Sequence, residues 1–179
     1  MYYPMYFDAT YILVLIGVVI CMIASARMNA TFSRYSKVRS HSGMTGREAA
    51  ERILMQAGIR DVRVEHISGN LTDHYDPRSK TLRLSDATYN SNSVAAVGVA
   101  AHECGHAIQH ETGYVPLSVR GSLVPVANFG STIAWPLILI GLIINSNMSV
   151  LLLNLGILAF AFAVLFQIVT LPVEFNASG

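Results

Sequence analysis

The chain has 179 residues, of which 53% are hydrophobic and only 13% charged, with a net charge of +1 and a mean hydropathy of +0.46. An ordinary soluble domain carries about 25% charged residues, so the composition excludes a plain soluble globule and points to membrane segments. The basic residues are spaced out rather than stacked into a stripe, which gives no sign of a nucleic-acid partner. Two cysteines, Cys21 and Cys104, are too few for a disulfide framework and suit a reducing compartment.

Residues 11–26 are apolar apart from Ser25 and, with Thr10 and its aromatic neighbours, reach the ~20 residues a bilayer core requires. Asp8 is the only charge before this run, whereas Arg27, Arg34, Lys37 and Arg39 follow it. That is the reverse of a cleaved leader, so the run reads as an uncleaved anchor. Residues 29–43 form a polar, basic connector suited to anionic headgroups. Thr45-Gly46-Arg47-Glu48 is a capping box, and Ala49, Ile53, Leu54 and Ala57 follow at helical spacing until Gly58 stops the helix.

Residues 62–67 read as a strand. Residues 71–75 and 81–85 read as a hairpin around Asp76-Pro77-Arg78-Ser79-Lys80, where proline presets the turn. The small apolar run from Val94 to Ala101 begins a helix that Asn92 or Ser93 can cap and that ends before Gly113. Residues 124–144 and 150–171 are two further apolar stretches. The first contains Asn128, Ser131, Thr132, Pro125 and Pro136, and would also suit a kinked or buried helix.

All 12 Lys and Arg residues lie between Arg27 and Arg120. The positive-inside rule therefore puts that region in the cytoplasm, with the N-terminus and the 145–149 turn outside, and returns the chain to the cytoplasmic side after the third span.

The helix that starts at Val94 carries His102-Glu103-Cys104-Gly105-His106, an H-E-x-x-H pattern. At about 100° per residue, His106 lies only about 40° around from His102, so both imidazoles can reach one ion. Glu103 lies beside them, placed to take a proton from water, as in a zinc hydrolase. A chance match on a solvated face is the alternative, but here the two imidazoles and the carboxylate interrupt an apolar stretch, where they are costly to bury unpaired. Cys104 falls about 200° from His102 and reads as core packing.

Catalytic zinc takes three protein ligands. His110 is on the right face but about 12 Å along the axis from His102, and Glu111 points to the side. Thr112 occupies the position where a metzincin needs its third histidine. Asp73, Asp76 and Asp86 lie on or beside the hairpin. Glu174 is the only acid in the last 67 residues and emerges on the same side of the membrane as the helix. Topology favours Glu174 over the aspartates without deciding between them.

Three strings, in order, resemble the bacterial YugP-type membrane zinc metallopeptidases: Ala101-His102-Glu103-Cys104-Gly105-His106-Ala107-Ile108-Gln109, the hairpin from Leu71 to Arg78, and Leu171-Pro172-Val173-Glu174-Phe175-Asn176-Ala177-Ser178. The pattern is also similar to the wider membrane gluzincins that include HtpX. The resemblance implies His102, His106 and Glu174 as Zn2+ ligands and Glu103 as the catalytic base. Ser178 stands where the wider group has an aspartate that supports a ligand histidine, which leaves that supporting role unassigned. Members of the family continue with a further cytoplasmic helical segment, so the resemblance also implies a chain that ends short at Gly179.

The expected fold is an α+β integral membrane protein. Three transmembrane helices carry a small zincin-like cytoplasmic domain of helices and a short antiparallel sheet. Residues 1–27 form the anchor, 28–120 the catalytic domain, 121–171 a transmembrane hairpin and 172–179 the third-ligand segment. The expected activity is hydrolysis of peptide bonds in membrane-associated or juxtamembrane proteins, with the lipid bilayer and a protein or peptide substrate as partners. His74, Tyr75, His110 and Tyr114 are candidates for transition-state or substrate contacts. The alternative is a non-catalytic membrane metal-binding or assembly factor, for which Glu103 would have no use.

Overall fold

The structure, a computed structural model, describes residues 9–144 and 147–179; the expected placements of residues 1–8 and of the turn at Asn145 and Ser146 lie outside the described residues. The elements run α1 (Ala9–Tyr35), α2 (Gly46–Gln56), β1 (Arg63–His66), β2 (His74–Asp76), β3 (Thr81–Leu84), α3 (Val94–Glu111), α4 (Val115–Ile143) and α5 (Asn147–Ala177).

Local signals set most of the boundaries. Thr45 caps α2 with the full capping box, its hydroxyl accepting from the Glu48 amide while the Glu48 carboxylate accepts from the Thr45 amide. Gly58, at φ +76°, turns the chain out of α2. Ser93 caps α3 by accepting from the Ala96 amide, and Gly113, at φ +65°, follows its end. A hairpin forms, but its first strand is His74–Asp76 rather than residues 71–75, so Asp76, expected in the turn, pairs opposite Thr81 and the turn is residues 77–80.

The sheet is mixed rather than antiparallel. β3 is central, pairing antiparallel with β2 and parallel with β1, with Val64 and Tyr75 both opposite Leu82. Burial explains the order: Thr81, Leu82 and Leu84 are fully buried, whereas β1 carries Arg63, Glu65 and His66 and suits an edge. The core lies between this sheet, α2 and α3, and comprises Ala50, Leu54, Ile59, Leu82, Leu84, Ala100, Cys104 and Ala107. Burial pushes the Cys104 thiol up to about 12, so it stays protonated and packs its sulfur on the Ala50 carbonyl.

Among the described residues, three helices are long and apolar enough to cross a membrane, over Leu15–Tyr35, Val115–Ile143 and Met148–Ala177. All three outrun the apolar stretches from which they were expected. No glycine or proline interrupts residues 27–35, so α1 continues into the basic connector. Pro116 sits in the first turn of α4, where its missing amide costs nothing, and α5 runs through Pro172, making the expected third-ligand segment its last turns. α4 and α5 pack closely through small residues: Gly141 lies against Leu153, and Gly156 against Ile138. The 31 residues of α5 rise about 46 Å, longer than the ~30 Å of bilayer hydrocarbon.

Candidate metal centre

The last two turns of α5 dock onto α3. Val173 and Ala177, four residues apart, are buried there, and Gly105 permits the approach. A Cβ at position 105 would stand 2.9 Å from the Ala177 carbonyl carbon and closer still to its oxygen. This packing brings Glu174, one residue past Val173, over the two histidines of α3.

The Glu174 Oε2 lies 3.3 Å from His102 Nε2 and 3.5 Å from His106 Nε2. One donor atom from each of the three residues falls within 4.8 Å of the others. Ligands held tetrahedrally at about 2.0–2.1 Å from zinc stand about 3.3–3.4 Å apart, which the two Glu174–histidine distances match.

The hydrogen bonds behind the histidines fix which nitrogen faces this point. Gln109 Nε2 donates to the Val173 carbonyl at 2.9 Å and to Asn176 Oδ1 at 2.8 Å. Its Oε1 therefore faces His106 and accepts from Nδ1–H at 3.0 Å. Ser178 spends its single proton on the Glu174 carbonyl at 3.1 Å, so its Oγ accepts from His102 Nδ1–H at 2.9 Å. In the neutral imidazoles both Nε2 atoms then present lone pairs toward one carboxylate oxygen, a donor set that a cation would complete. Ser178 thus stands behind His102, at the position whose supporting role the sequence left unassigned.

Arg120, from the start of α4, holds the other Glu174 oxygen, Nη1 to Oε1, at 2.6 Å. Sequence reasoning missed this residue, although a signal existed. It is the only Lys or Arg after Arg83, as Glu174 is the only acid after Glu111, and antiparallel helices bring the two together. Gln109 and Asn176 were missed as well, since nothing local marks them as partners.

The other acids considered for the third position have different partners. Asp73 accepts from the Ser85 amide and hydroxyl. Asp76 accepts from the Arg78 amide and the Ser79 hydroxyl, which hold its carboxyl at about 2. Asp86 binds the Gly69 amide and His66.

Glu103 lines a cleft of about 520 Å³ with His102, His106 and Glu174. Burial pushes its carboxyl above the usual range and the nearby Asp73 charge adds to this, against the two histidines and the backbone of Tyr75. His74, Tyr75 and His110 line the same cleft, and the Tyr75 hydroxyl pairs with His110 Nδ1 at 2.9 Å. Tyr114 is apart from them, in a cavity on the other flank of α3.

Comparison with known proteins agrees with this chemistry. Residues 10–179 match the family described as "Putative neutral zinc metallopeptidase". Over 156 residues the chain is 47% identical to the "Putative membrane protease YugP" of Bacillus subtilis (strain 168), which covers 87% of this chain and 68% of that protein. No solved structure matches the chain.

Proposed function

The chain belongs to the neutral zinc metallopeptidase family, and from that premise we propose that it is a membrane-embedded zinc endopeptidase of the gluzincin type. It acts at the cytoplasmic face on peptide bonds of membrane-associated or juxtamembrane proteins. The observation that carries this reading is the convergence of the two imidazole Nε2 atoms and the Glu174 carboxylate beside a half-buried Glu103.

His102, His106 and Glu174 would hold zinc, which when bound would supply a Lewis acid for the scissile carbonyl and acidify water. Arg120 fixes the Glu174 carboxylate by its second oxygen, and Ser178 and Gln109 hold the imidazoles in the ligating tautomer. Glu103 takes the proton from the attacking water and passes it to the leaving amine. Its raised proton affinity suits both halves of that transfer. Tyr75 and His110, joined by their hydrogen bond, face the same cleft and stabilise the developing oxyanion. Arg120 lies at the site end of α4, so the site falls on the basic, cytoplasmic side.

The test is peptide hydrolysis by the detergent-solubilised chain, followed by chelation and zinc addition. Activity should vanish with chelator, return with zinc and be absent in Glu103→Gln. Hydrolysis that survives both chelation and Glu103→Gln would contradict the proposal. Equal cleavage of soluble unfolded proteins and membrane-tethered ones would remove the membrane preference.

A further inference from the structure

A second cleft meets Glu103 from the other side. It lies between α1 and α3, holds about 640 Å³, and ends on His102 and Glu103. Met28, Phe32 and Tyr35 of α1 form one wall; Val94, Gly98 and Val99 of α3 form the other. Arg27, Thr31 and Asp73 also line the cleft, but most of its wall is apolar, and its floor is the proposed reaction centre.

Two details show that the space is built to be entered. Among the described residues of α1, Phe32 is the only one that is half-buried rather than exposed, so it is where the helix turns toward α3. Gly98 lies one turn before His102 on the same face. A Cβ there would meet nothing within 4 Å, in contrast to Gly105, where Ala177 fills the space. A glycine inside a helix costs about 1 kcal/mol relative to alanine, and no packing among the described residues requires this one. Gly98 lines this cleft and also the cavity beside Ala177, and its missing side chain leaves room next to His102.

We propose that this gallery is the specificity pocket of the enzyme. It takes a large apolar or aromatic side chain from a residue flanking the scissile bond, and Gly98 and Phe32 set its depth. The gallery opens along α1, a helix apolar enough to cross a membrane, so the substrates it selects are polypeptides cut at the edge of an apolar segment. The inference rests on the hydrolase reading above. A transferred side chain would lose its water-exposed surface next to the reacting carbonyl, and that burial orients the bond.

The test uses the zinc-loaded full chain in detergent and a peptide series that varies only one flanking residue at a time among Trp, Phe, Leu, Ala and Asp. Cleavage positions and rates are read by mass spectrometry. The parent should favour the large apolar residues at one flanking position. Gly98→Phe should lower the ratio of Phe to Ala cleavage there at least tenfold, with zinc content and thermal stability retained. Phe32→Ala, on a separate helix, should raise the ratio of Trp to Phe cleavage severalfold, and it stands as a test if Gly98→Phe fails to fold. Ratios unchanged in Phe32→Ala, or in a folded Gly98→Phe, overturn the pocket while leaving the hydrolase intact. A zinc-loaded parent that cuts no peptide overturns the hydrolase reading itself and the pocket with it.

Discussion

Gly105→Ala tests how the third ligand is seated. The new methyl would lie 2.9 Å from the carbonyl carbon and Cα of Ala177, and ordinary contact begins at 3.4 Å. α3 and the end of α5 must therefore part by at least half an ångström. Gln109 and buried Val173 tie that end to α3, so the displacement reaches Glu174 rather than dissipating at the terminus. Overpacking of this kind costs about 1–3 kcal/mol. Concentrated on the ligand, it corresponds to an affinity loss of about 5- to 150-fold. The assay is competition for zinc between the full chain in detergent and a chromophoric chelator. Gly98→Ala is the matched control, on the same helix but with open space around the new methyl; it should leave zinc affinity unchanged and raise thermal stability. A Gly105→Ala chain that binds zinc as tightly as the parent would refute the argument that the α3–α5 contact positions Glu174.

Arg120→Leu removes the 2.6 Å partner of Glu174 Oε1 and should weaken zinc binding by about 10- to 100-fold in the same titration, with Arg120→Lys recovering part of the loss. Ser178→Ala frees His102 Nδ1 and should cost zinc affinity about tenfold, whereas Ser178→Asp should retain it. Glu103 works as a base only when ionised, so activity falls as pH drops through its raised pKa; because Asp73 contributes to that elevation, Asp73→Asn should move the acid limb of kcat/KM to lower pH, and a limb that stays or rises would contradict the assignment. The carboxyl of Asp76 is depressed from 3.8 to about 2, so its stabilising contribution is present above the higher value and lost as pH falls toward the lower one. Asp76→Asn should flatten the acid side of the thermal-stability profile across that window.

The parts legible in the sequence were those set by local rules. The i, i+4 histidines, the Thr45–Glu48 box and the Ser93 cap each depend on residues within one or two turns, and each stands where the spacing put it, while the hairpin turn formed one residue later than expected, over residues 77–80. Non-local choices were not legible. The parallel pairing of β1 with β3 depends on which strand buries both faces, not on any feature of residues 63–66. The extension of α5 through Pro172 depends on docking against Gly105, which is 67 residues earlier in the chain than Pro172. The supports of the site, Arg120, Gln109 and Asn176, come from three helices, and only the fold brings them together. Tyr114, one of four candidate contacts, follows the turn at Gly113 and lines a cavity with Ile108, Gln109 and Thr112 rather than the cleft that holds the other three.

The measurement that bears most directly on the metal centre is the zinc content of the purified chain, set beside those of Glu174→Ala and Glu103→Gln. One zinc per chain in the parent and in Glu103→Gln, with loss in Glu174→Ala, is the result predicted by a site of His102, His106 and Glu174 with Glu103 held apart as the base. Full zinc occupancy in Glu174→Ala, or none in the parent, would contradict it.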